Sequence, residues 1–528
     1  MQTKKIPFDK VLALSFKDVH YQSQPETLKS FYRFSPDIKG IEEAIKERKK
    51  IQINRLLLHD VLSDNYSINA SSSQKINIEF LKDSNTFTII TAHQPSLLGG
   101  PAYYFYKICS TIHLSQYLSE QYPEYKFLPV FISGSEDHDF EEVKSLHLYN
   151  RHVEWATNQS GPVGRFNISG LDEVLNIVSD ILGSTENAET LTQVFKTSLA
   201  NANNYNDFVF SWLNYFFKDY GLLILNMDDK RLKSCFAKIM IKEIKERRSA
   251  SLVQETQEEL LKHGFKPQAF ARDINIFYMA EGSRERIYYE DGKFLVNHSS
   301  TTFSEGEIIH EIEKFPERFS PNVILRPIYQ EYILPNIAYI GGGGEIAYWL
   351  ERKKQFDYYG VFFPVLIRRN SVMLMSKSLI KTMDKLNLTL EDILLEEDKV
   401  ITKYLESAAN GDFHLNDEIL EIQEVYNKIA AKAKLIDPTL EPFVLGEGHK
   451  TLKSSEAIEV KLKRTLKQKE ETSVNQIKSL KSKLFPDGSL QERKESLLPY
   501  LVTENLSFIE KLIDELNPLK KEFLFIYL

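Results

Sequence analysis

The sequence is poor in cysteine and lacks the marks of a secreted or membrane-anchored protein. Cys109 and Cys235 are its two cysteines; they lie far apart on predicted amphipathic helices, and neither belongs to a Cys-x-x-Cys pair. A disulfide framework and a thiolate metal site are therefore not expected. The N-terminus has only a brief apolar run without a small-residue cleavage site, and apolar stretches such as 208–217 are too short to cross a membrane. These absences predict a cytoplasmic protein.

An excess of positive charge is also missing. The formal net charge is -8 at pH 7, so bulk charge gives no reason to expect nucleic-acid binding. Apolar residues make up 42% of the chain and charged residues 27%, which is typical of a globular protein. Because 528 residues are too many for one hydrophobic core, roughly two to four domains are expected.

The stretch 86–142 predicts one βαβ unit. Residues 87–90 and 127–132 are short apolar runs that resemble buried strands, and 104–118 has apolar residues at helical spacing. A right-handed crossover makes the two strands parallel, so their carboxyl ends lie at the same edge of the sheet, where ligands bind. His93-Gln94 and the acidic cluster 136–139 both follow these strand ends.

The rest of the chain predicts further pieces of this sheet and two insertions. The runs 221–226, 322–325, 337–340 and 361–367 are predicted strands, whereas residues up to about 84, 171–219 and 231–263 are predicted to be mostly helical. Asp291-Gly292 indicates a hairpin turn. The predicted division is core at 1–150, a mostly helical insertion at 151–220, core at 221–263, a small β-containing insertion at 264–320, core at 321–372, and a helical domain at 373–528.

Everything after Met373 is predicted to be helical. Residues 454–484 have an apolar stripe on a charged helix, and 495–516 form a second predicted helix beyond a Phe-Pro-Asp-Gly turn. The two would form an antiparallel hairpin. Lys469 and Glu470 stand where a heptad requires apolar residues, so the stripe is an imperfect coiled-coil pattern.

The polar residues at the strand ends allow both a functional and a structural interpretation. His93-Gln94 could bind a phosphate or carboxylate group, or the histidine could simply bond to the backbone of a turn. The cluster 136–139 could hold an ammonium group, bind Mg²⁺ or supply a general base, or it could be a solvated acidic loop. A zinc site is not expected, because no second histidine lies at ligand spacing.

The glycine run 341–344 lies between a predicted strand and a helix. Successive glycines let backbone N–H groups approach an anion at the helix N-terminus. A tight turn alone is the alternative, but four glycines in succession exceed what a turn needs, since each costs chain entropy. The dinucleotide fingerprint and the Walker lysine are both missing. Residues 375–378 read Met-Ser-Lys-Ser, as in a class I synthetase loop, but four residues are a weak signal. The lysine-rich face 450–469 is balanced by glutamates and favours a solvated helix.

In this order, the motifs resemble the BshC family, the cysteine-adding enzymes of bacillithiol biosynthesis. The resemblance is carried by TAHQPSLLGGPAYYFYK at 91–107, PVFISGSEDHDFEEV at 129–143, GLLILNMDD at 221–229 and, above all, FSPNVILRPIYQEYILPNIAYIGGGGEIAYW at 319–349. The family usually has Gly-Gln-Gln where this chain has Ala-His-Gln at 92–94. It usually has Gly-Gly-Pro-Gly-Glu where this chain has Gly-Gly-Gly-Gly-Glu at 341–345. The match implies an α/β fold with a Rossmann-like core similar to class I nucleotidylyltransferases and synthetases, two insertions, and a C-terminal coiled coil that forms a homodimer.

The resemblance also implies a reaction. A cysteine ligase of this family would join the carboxyl group of L-cysteine to the amine of glucosaminyl-malate, in the last step of bacillithiol synthesis. A carboxylate requires activation before it can acylate an amine, most simply by ATP, and fold analogy favours an acyl-adenylate over an acyl-phosphate. ATP or ADP, with Mg²⁺ as an option, is the implied cofactor. No tightly bound metal, nucleic-acid partner or membrane partner is expected.

Site residues follow from the same resemblance. The expected catalytic residues are Glu136, Asp137, His138 and Asp139, and the glycines expected at the cofactor are Gly341, Gly342, Gly343 and Gly344. The expected substrate-binding residues, with Arg326 and Gln330 on malate carboxyl or sugar hydroxyls, are His93, Gln94, Tyr104, Lys107, Asn226, Arg326, Tyr329, Gln330, Glu345, Tyr348 and Trp349. Two alternatives stay open: a non-catalytic scaffold with a synthetase-like core, and a synthetase-like enzyme that acts on tRNA. Polar clusters at three strand ends argue against the first, and the missing basic docking surface argues against the second.

Overall fold

The structure is a computed structural model that describes residues 2–23, 25–66, 70–409 and 413–528. Its strands are β1 (Gln2–Pro7), β2 (Thr86–His93), β3 (Lys126–Ser133), β4 (Ser145–Leu148), β5 (Arg151–Glu154), β6 (Leu223–Asn226), β7 (Ile276–Ala280), β8 (Ser283–Glu290), β9 (Lys293–Val296), β10 (Thr302–Phe303), β11 (Phe319–Pro321), β12 (Asn336–Gly341), β13 (Val365–Arg368), β14 (Ser371–Met375) and β15 (Glu522–Tyr527).

Its helices are α1 (Phe16–Ser23), α2 (Ile38–Arg48), α3 (Arg55–Asn65), α4 (Ser72–Phe80), α5 (Tyr103–Gln121), α6 (Phe140–Val143), α7 (Leu171–Leu182), α8 (Glu186–Ala200), α9 (Tyr205–Phe217), α10 (Lys230–Glu246), α11 (Ser249–Leu261), α12 (Glu305–Lys314), α13 (Arg326–Ile333), α14 (Gly343–Leu350), α15 (Lys353–Tyr359), α16 (Lys377–Lys385), α17 (Leu390–Ile393), α18 (Glu397–Ala408), α19 (Asn416–Ile436), α20 (Leu440–Lys469), α21 (Glu471–Leu484), α22 (Leu498–Glu504) and α23 (Ser507–Glu515).

A parallel sheet lies at the centre of the molecule. Its strand order is β13-β12-β2-β3-β6, and all neighbouring pairs are parallel. In chain order the strands therefore run outward from β2 on one side and continue with β12 and β13 on the other, as in a doubly wound fold. The predicted Rossmann-like core is confirmed. The direction of winding reverses between β2 and β12, where a crevice opens at the carboxyl ends of these strands.

The predicted strands at 87–90, 127–132, 221–226 and 337–340 all lie in this sheet. Every residue of β12, and nearly every residue of β2 and β3, is buried. Helices cover both faces of a parallel sheet, so its strands need uninterrupted apolar runs rather than alternation. The continuous runs in the sequence therefore correctly predicted these strands.

The predicted strand at 322–325 is wrong. The extended segment is β11, which ends at Pro321 and pairs antiparallel with β7, outside the parallel sheet. The side-chain oxygen of Asn322 accepts hydrogen bonds from the backbone N–H groups of Ile324 and Leu325. This side-chain bonding competes with strand formation and turns the chain into α13.

The β hairpin predicted in the second insertion is confirmed. Strands β8 and β9 pair antiparallel, with Glu290 opposite Lys293. The turn residues Asp291 and Gly292 have φ values of 48° and 79°, the left-handed pair that matches the twist of two-residue hairpins. Helices α7 to α9 lie in the stretch predicted as the first, mostly helical insertion. The exact limits of both insertions stay predictions.

The long helix predicted at 231–263 is two helices. Helix α10 ends at Glu246 and is followed by Arg247, whose φ of 48° is left-handed, and α11 begins at Ser249. The Glu243 carboxylate accepts hydrogen bonds from the Ser249 and Tyr359 hydroxyls and from the Asn275 amide. This buried network fixes the bend, and helical periodicity alone could not predict it.

The prediction that everything after Met373 is helical is also wrong. Strands β14 and β15 form a three-stranded sheet with β1, in the order β1-β15-β14. The N-terminal strand pairs antiparallel with the C-terminal strand, with Lys5 opposite Leu524. The two ends of the chain therefore share one sheet, and the C-terminal region is joined to the core.

The coiled-coil hairpin differs from the one predicted. Helix α20 pairs with α19, through the turn at 437–439, and not with the segment 495–516, which forms α22 and α23. The predicted helix 454–484 is interrupted at Glu470. Its second half packs into the chain's own core, whereas apolar side chains of the hairpin are exposed: Leu435, Ile436, Phe443, Ile458, Val460 and Leu462. Within the described ranges, no helix has the length and hydropathy needed to cross a membrane.

Candidate active site

A cavity of about 520 Å³ lies at the carboxyl edge of the parallel sheet. Residues at or just beyond the end of every core strand line it, including His93, Ser133, Met227, Gly343 and Arg369. Other parts of its wall come from the segment around Asn322, from strand β8 and from the C-terminal region. The cavity therefore lies where a doubly wound sheet binds its ligands.

The cavity wall carries charges of both signs. Its carboxylates are Glu136, Asp137, Glu142 and Glu345, and its guanidinium groups are Arg284, Arg326, Arg369 and Arg493. Such a wall can hold the ammonium and carboxylate groups of a zwitterion or of two different substrates. The sequence predicted four of these eight residues.

A buried ion pair lies behind one wall. Lys107 projects from α5, and its ammonium lies 2.8 Å from the Glu345 carboxylate. Glu345 also accepts hydrogen bonds from the Tyr339 hydroxyl and the Gly342 N–H group. Burial alone would raise the pKa of Glu345, but Lys107 and these donors lower it to about 2. Glu345 is therefore ionised, and Lys107 is buried against it rather than free to reach a ligand.

His93 and Gln94 fix the turn that follows β2. The His93 Nδ1–H donates to the Gln94 carbonyl at 3.0 Å, so Nε2 accepts from the Tyr103 hydroxyl at 2.9 Å. Burial, followed by the nearby Lys107 charge, lowers the pKa of His93 to about 4. The imidazole is neutral at physiological pH. The Gln94 amide donates to Asp137 and Glu142, so it holds two carboxylates of the cavity in place.

Glu136 belongs to a buried chain of alternating charges. Lys233 forms ion pairs with Glu136 and with Asp228, and Asp228 also accepts two hydrogen bonds from the Arg165 guanidinium. Burial raises the pKa of Glu136, although Lys233 opposes this effect. The arrangement fixes a carboxylate of increased basicity in the cavity wall.

The other members of the acidic cluster lie farther out. Asp137 is 3.5 Å from Arg284, and the same guanidinium donates to Nδ1 of His138 at 2.8 Å. Because Nδ1 accepts, the proton of the neutral His138 ring is on Nε2. Burial, with Arg284, lowers the pKa of His138. Asp139 is exposed and precedes α6 without capping it through its side chain. His138 and Asp139 do not line the cavity.

The glycine run is closely packed at one position and open at another. None of its four residues has a positive φ, so left-handed backbone is not the reason for glycine here. A Cβ on Gly343 would lie 2.2 Å from the Asp18 carboxylate, whereas one on Gly344 would meet Lys17 at an ordinary 3.6 Å. Gly343 is therefore required by packing against α1, and Gly343 and Gly344 both line the cavity.

Several predicted residues lie in the core rather than on the cavity wall. Tyr104 lies beneath His93, the Tyr329 hydroxyl donates to the Met227 carbonyl, and Gln330 donates to Glu331. Further contacts hold Tyr348 against Arg352, Trp349 on Tyr339 and the half-buried Asn226 with Ser135. Gly341 and Gly342 lie next to the cavity without lining it. In the synthetase-like motif, Ser376 caps α16 and is not part of the wall.

The wall residues that the sequence analysis missed include Tyr103, Arg284, Arg369 and Arg493. Arg369 directly follows β13 and could have been found by the strand-end rule that identified His93 and Glu136. Tyr103 begins α5 next to the predicted turn. Arg284 comes from the hairpin of the second insertion and Arg493 from the C-terminal region, and nothing local in the sequence connects either of them to the sheet.

Comparisons with known proteins agree with this architecture. Residues 1–370 match the family model for the bacillithiol biosynthesis BshC N-terminal Rossmann-like domain, and residues 372–528 match that for the BshC C-terminal coiled-coil domain. Relatives named "Putative cysteine ligase BshC" include proteins of Flavobacterium johnsoniae (38% identity, 95% of each chain), Christiangramia forsetii (36%, 95% of each) and Flavobacterium psychrophilum (35%, 99% of each). The names confirm the expectation of a ligase-type enzyme. With both family models matched across nearly its whole length, this chain belongs to the BshC family of bacillithiol biosynthesis.

Proposed function

We propose that this protein forms the amide bond between the carboxyl group of L-cysteine and the amine of glucosaminyl-malate, with a nucleotide activating the carboxylate. The observation that carries the proposal is the cavity at the switch point of the sheet, with carboxylates and guanidinium groups in one wall. Each substrate has both a nitrogen base and a carboxylate, and the wall offers complementary charges to both kinds of group.

The acidic part of the wall is proposed to act on the amines. Glu136 and Asp137 would hold the cysteine ammonium or remove a proton from the incoming amine of glucosaminyl-malate. Formation of one amide bond requires the attacking nitrogen to lose a proton, and a carboxylate with a raised pKa accepts it more readily. The raised pKa of Glu136 favours this residue over Asp139, which lies outside the cavity.

Arg326 is proposed to bind the malate carboxyl groups. Its guanidinium lines the cavity, and among the described residues no hydrogen bond or ion pair to its side chain is found. An arginine whose donors are not already engaged can bind a carboxylate through two parallel hydrogen bonds. The earlier assignment of Gln330 to the same substrate is not retained, because Gln330 is buried against Glu331.

The nucleotide is proposed to lie at the start of α14. Gly344 leaves room that a larger side chain would fill, and backbone N–H groups at a helix N-terminus favour phosphate oxygens. This arrangement fits a nucleotide phosphate, with or without Mg²⁺. ATP would supply the activation of the cysteine carboxylate, while the chain itself binds and orients the two substrates.

The test is direct formation of the product. The purified protein, incubated with cysteine, glucosaminyl-malate and ATP, is expected to yield bacillithiol by mass spectrometry, and the nucleotide product shows which phosphate bond is broken. Reactions without ATP, and with ADP in its place, are the controls. If each substrate binds by calorimetry but no condition yields product, the ligase proposal is wrong and the scaffold alternative is favoured.

Dimerisation through the C-terminal hairpin is a second part of the proposal. The apolar side chains of α19 and α20 are exposed on the described chain, with Val460 69% exposed. A second copy of the hairpin would bury them, and a coiled coil is the usual way in which helices bury such a stripe. We therefore propose that the contact surface is 416–469 instead of 454–516.

Replacement of both Phe443 and Val460 by Asp is expected to halve the molecular mass of the protein in solution. Each side chain is exposed in the single chain, so the change leaves the fold intact and places charges in the contact between copies. Light scattering measures the mass. Leu12→Asp, at an exposed apolar residue near the N-terminus and outside the hairpin, is the control. A parent protein that is already monomeric would contradict the proposal.

A further inference from the structure

We infer that Arg369 and Arg493, together with the first turn of α14, form an oxyanion subsite, so that the C-terminal region supplies a substrate-binding residue to the Rossmann-like core. The inference deepens the proposed function and rests on it for the identity of the reaction. It does not depend on the dimer. Four separate observations lead to it.

The first is an unused donor of a buried arginine. Arg369 is 3% exposed, and its two terminal nitrogens donate to the Glu492 carboxylate at 3.0 and 2.8 Å. Its Nε–H group is buried and has no hydrogen-bond partner among the described residues. This nitrogen lies 4.0 Å from the Cβ position of Gly342, beside the start of α14. Buried donors are normally satisfied, so this one indicates a place for an acceptor.

The second contact places Arg493 beside the same turn. Its Nη2 group donates to the Asp18 carboxylate at 3.0 Å, and Asp18 packs directly against Gly343. The Arg493 side chain is 40% exposed and lines the cavity. Arg493 follows Glu492, so one short segment of the C-terminal region both fixes Arg369 and presents a second guanidinium group to the cavity.

The third observation is the balance of charge. The Glu492 carboxylate neutralises Arg369, and Glu345 neutralises Lys107. Asp18, however, is shared by Arg368 and Arg493, which leaves one positive charge without a carboxylate. Lys17, next to Gly344, bonds to the uncharged amide of Gln268. Excess positive charge from this arginine pair and from Lys17 therefore lies at the glycine end of the cavity, where an anion would balance it.

The fourth is the helix itself. Helix α14 begins at Gly343, and the N-terminus of a helix carries a partial positive charge that favours anions. Glu345 already accepts the N–H group of Gly342, so the ligand would approach through Gly344, the Arg369 Nε and Arg493. A planar or tetrahedral oxyanion fits such donors. It is a carboxylate of the malate-bearing substrate or a phosphate of the nucleotide.

Arg493→Gln, made in the full-length protein, distinguishes these sources. Calorimetry measures the affinities for free malate and for ADP. Steady-state kinetics then measures the KM values for glucosaminyl-malate and for ATP. Loss of a charged donor is expected to weaken binding of the anion by about tenfold or more. Weaker malate and glucosaminyl-malate binding assigns the site to a carboxylate, and weaker ADP and ATP binding assigns it to a phosphate. KM for cysteine is expected to change less than the affected KM.

Two further variants complete the experiment. Lys494→Gln, at the next residue, removes a cation that pairs with Asp487 outside the cavity. It is expected to leave the affinities for malate and ADP, and the KM values, unchanged. Gly344→Ala narrows the site with only Lys17 in contact distance and is expected to weaken the same ligand as Arg493→Gln. Unchanged binding of malate and ADP in both cavity variants would overturn the subsite. A wild-type protein that binds these ligands but makes no bacillithiol would instead overturn the proposed reaction.

Discussion

Glu136→Gln is expected to lower the turnover number for bacillithiol formation by about 100- to 10,000-fold, the contribution typical of a positioned general base. Glutamine keeps the size of the side chain but cannot accept the proton of the attacking amine. Substrate KM values are expected to change less than the turnover number. Steady-state kinetics with a mass-spectrometric assay of the product measures both quantities.

The pH dependence gives a second check on Glu136. Its pKa is raised by burial, so the catalytically useful ionised form is gained as pH rises through a value above the usual one. The acidic limb of the wild-type rate profile is expected to disappear in Glu136→Gln.

A raised carboxyl pKa also means that ionisation opposes folding at pH values above the unfolded pKa. Stability near neutral pH is therefore expected to be unchanged or slightly higher in the variant, since Lys233 keeps Asp228 as a partner.

A matched control lies two residues beyond the acidic cluster 136–139. Glu141 is exposed and pairs with Lys144 on the surface, away from the cavity wall. Glu141→Gln makes the same chemical change and is expected to leave the rate within about twofold, as is usual for surface substitutions. If Glu136→Gln retains the wild-type rate as well, Glu136 is a structural member of the charge chain and the base lies elsewhere.

The sequence predicted the central sheet well because its information there is local. Strands β2, β3, β6 and β12 are buried on both faces, and each is a continuous apolar run that can be recognised without knowing its neighbours. The sheet formed by β1, β14 and β15 could not be predicted in this way. Its pairing joins residues near Lys5 to residues near Leu524, and no periodicity in either segment identifies the other.

The same distinction applies to the candidate site. The strand-end rule identified His93, Glu136 and Gly343, because each follows a recognisable strand within a few residues. Arg284 and Arg493 reach the cavity from an insertion and from the C-terminal region, so only the folded chain brings them there. The predicted substrate ligand Trp349 shows the opposite error. It lies in a strong motif, but aromatic packing on Tyr339 explains its presence.

Lys107→Met is expected to lower the free energy of unfolding by about 3 kcal/mol, the lower end of the range for breaking a buried ion pair. Lys107 is almost completely buried, whereas the Glu345 side chain is 35% exposed toward the cavity, so solvent screening reduces the loss. Methionine fills a similar volume without a charge and leaves Glu345 with the Tyr339 and Gly342 donors. Chemical denaturation followed by circular dichroism measures the difference at several pH values.

The pH window of this loss follows from the pKa of Glu345, which falls from 4.5 to about 2 in the folded chain. A carboxylate whose pKa is lowered by folding stabilises the fold fully at pH values above its unfolded-state pKa. This stabilisation is lost as pH falls through its folded-state pKa. The difference between wild type and Lys107→Met is therefore expected to be full at pH 6 and to shrink between about 4.5 and 2. Lys82→Met, which breaks an exposed pair with Glu79, is expected to produce no measurable change. A Lys107→Met protein as stable as this control at pH 6 would mean that the ion pair does not stabilise the fold, and the Lys107→Met/Glu345→Gln double variant then separates an effect of charge from one of packing.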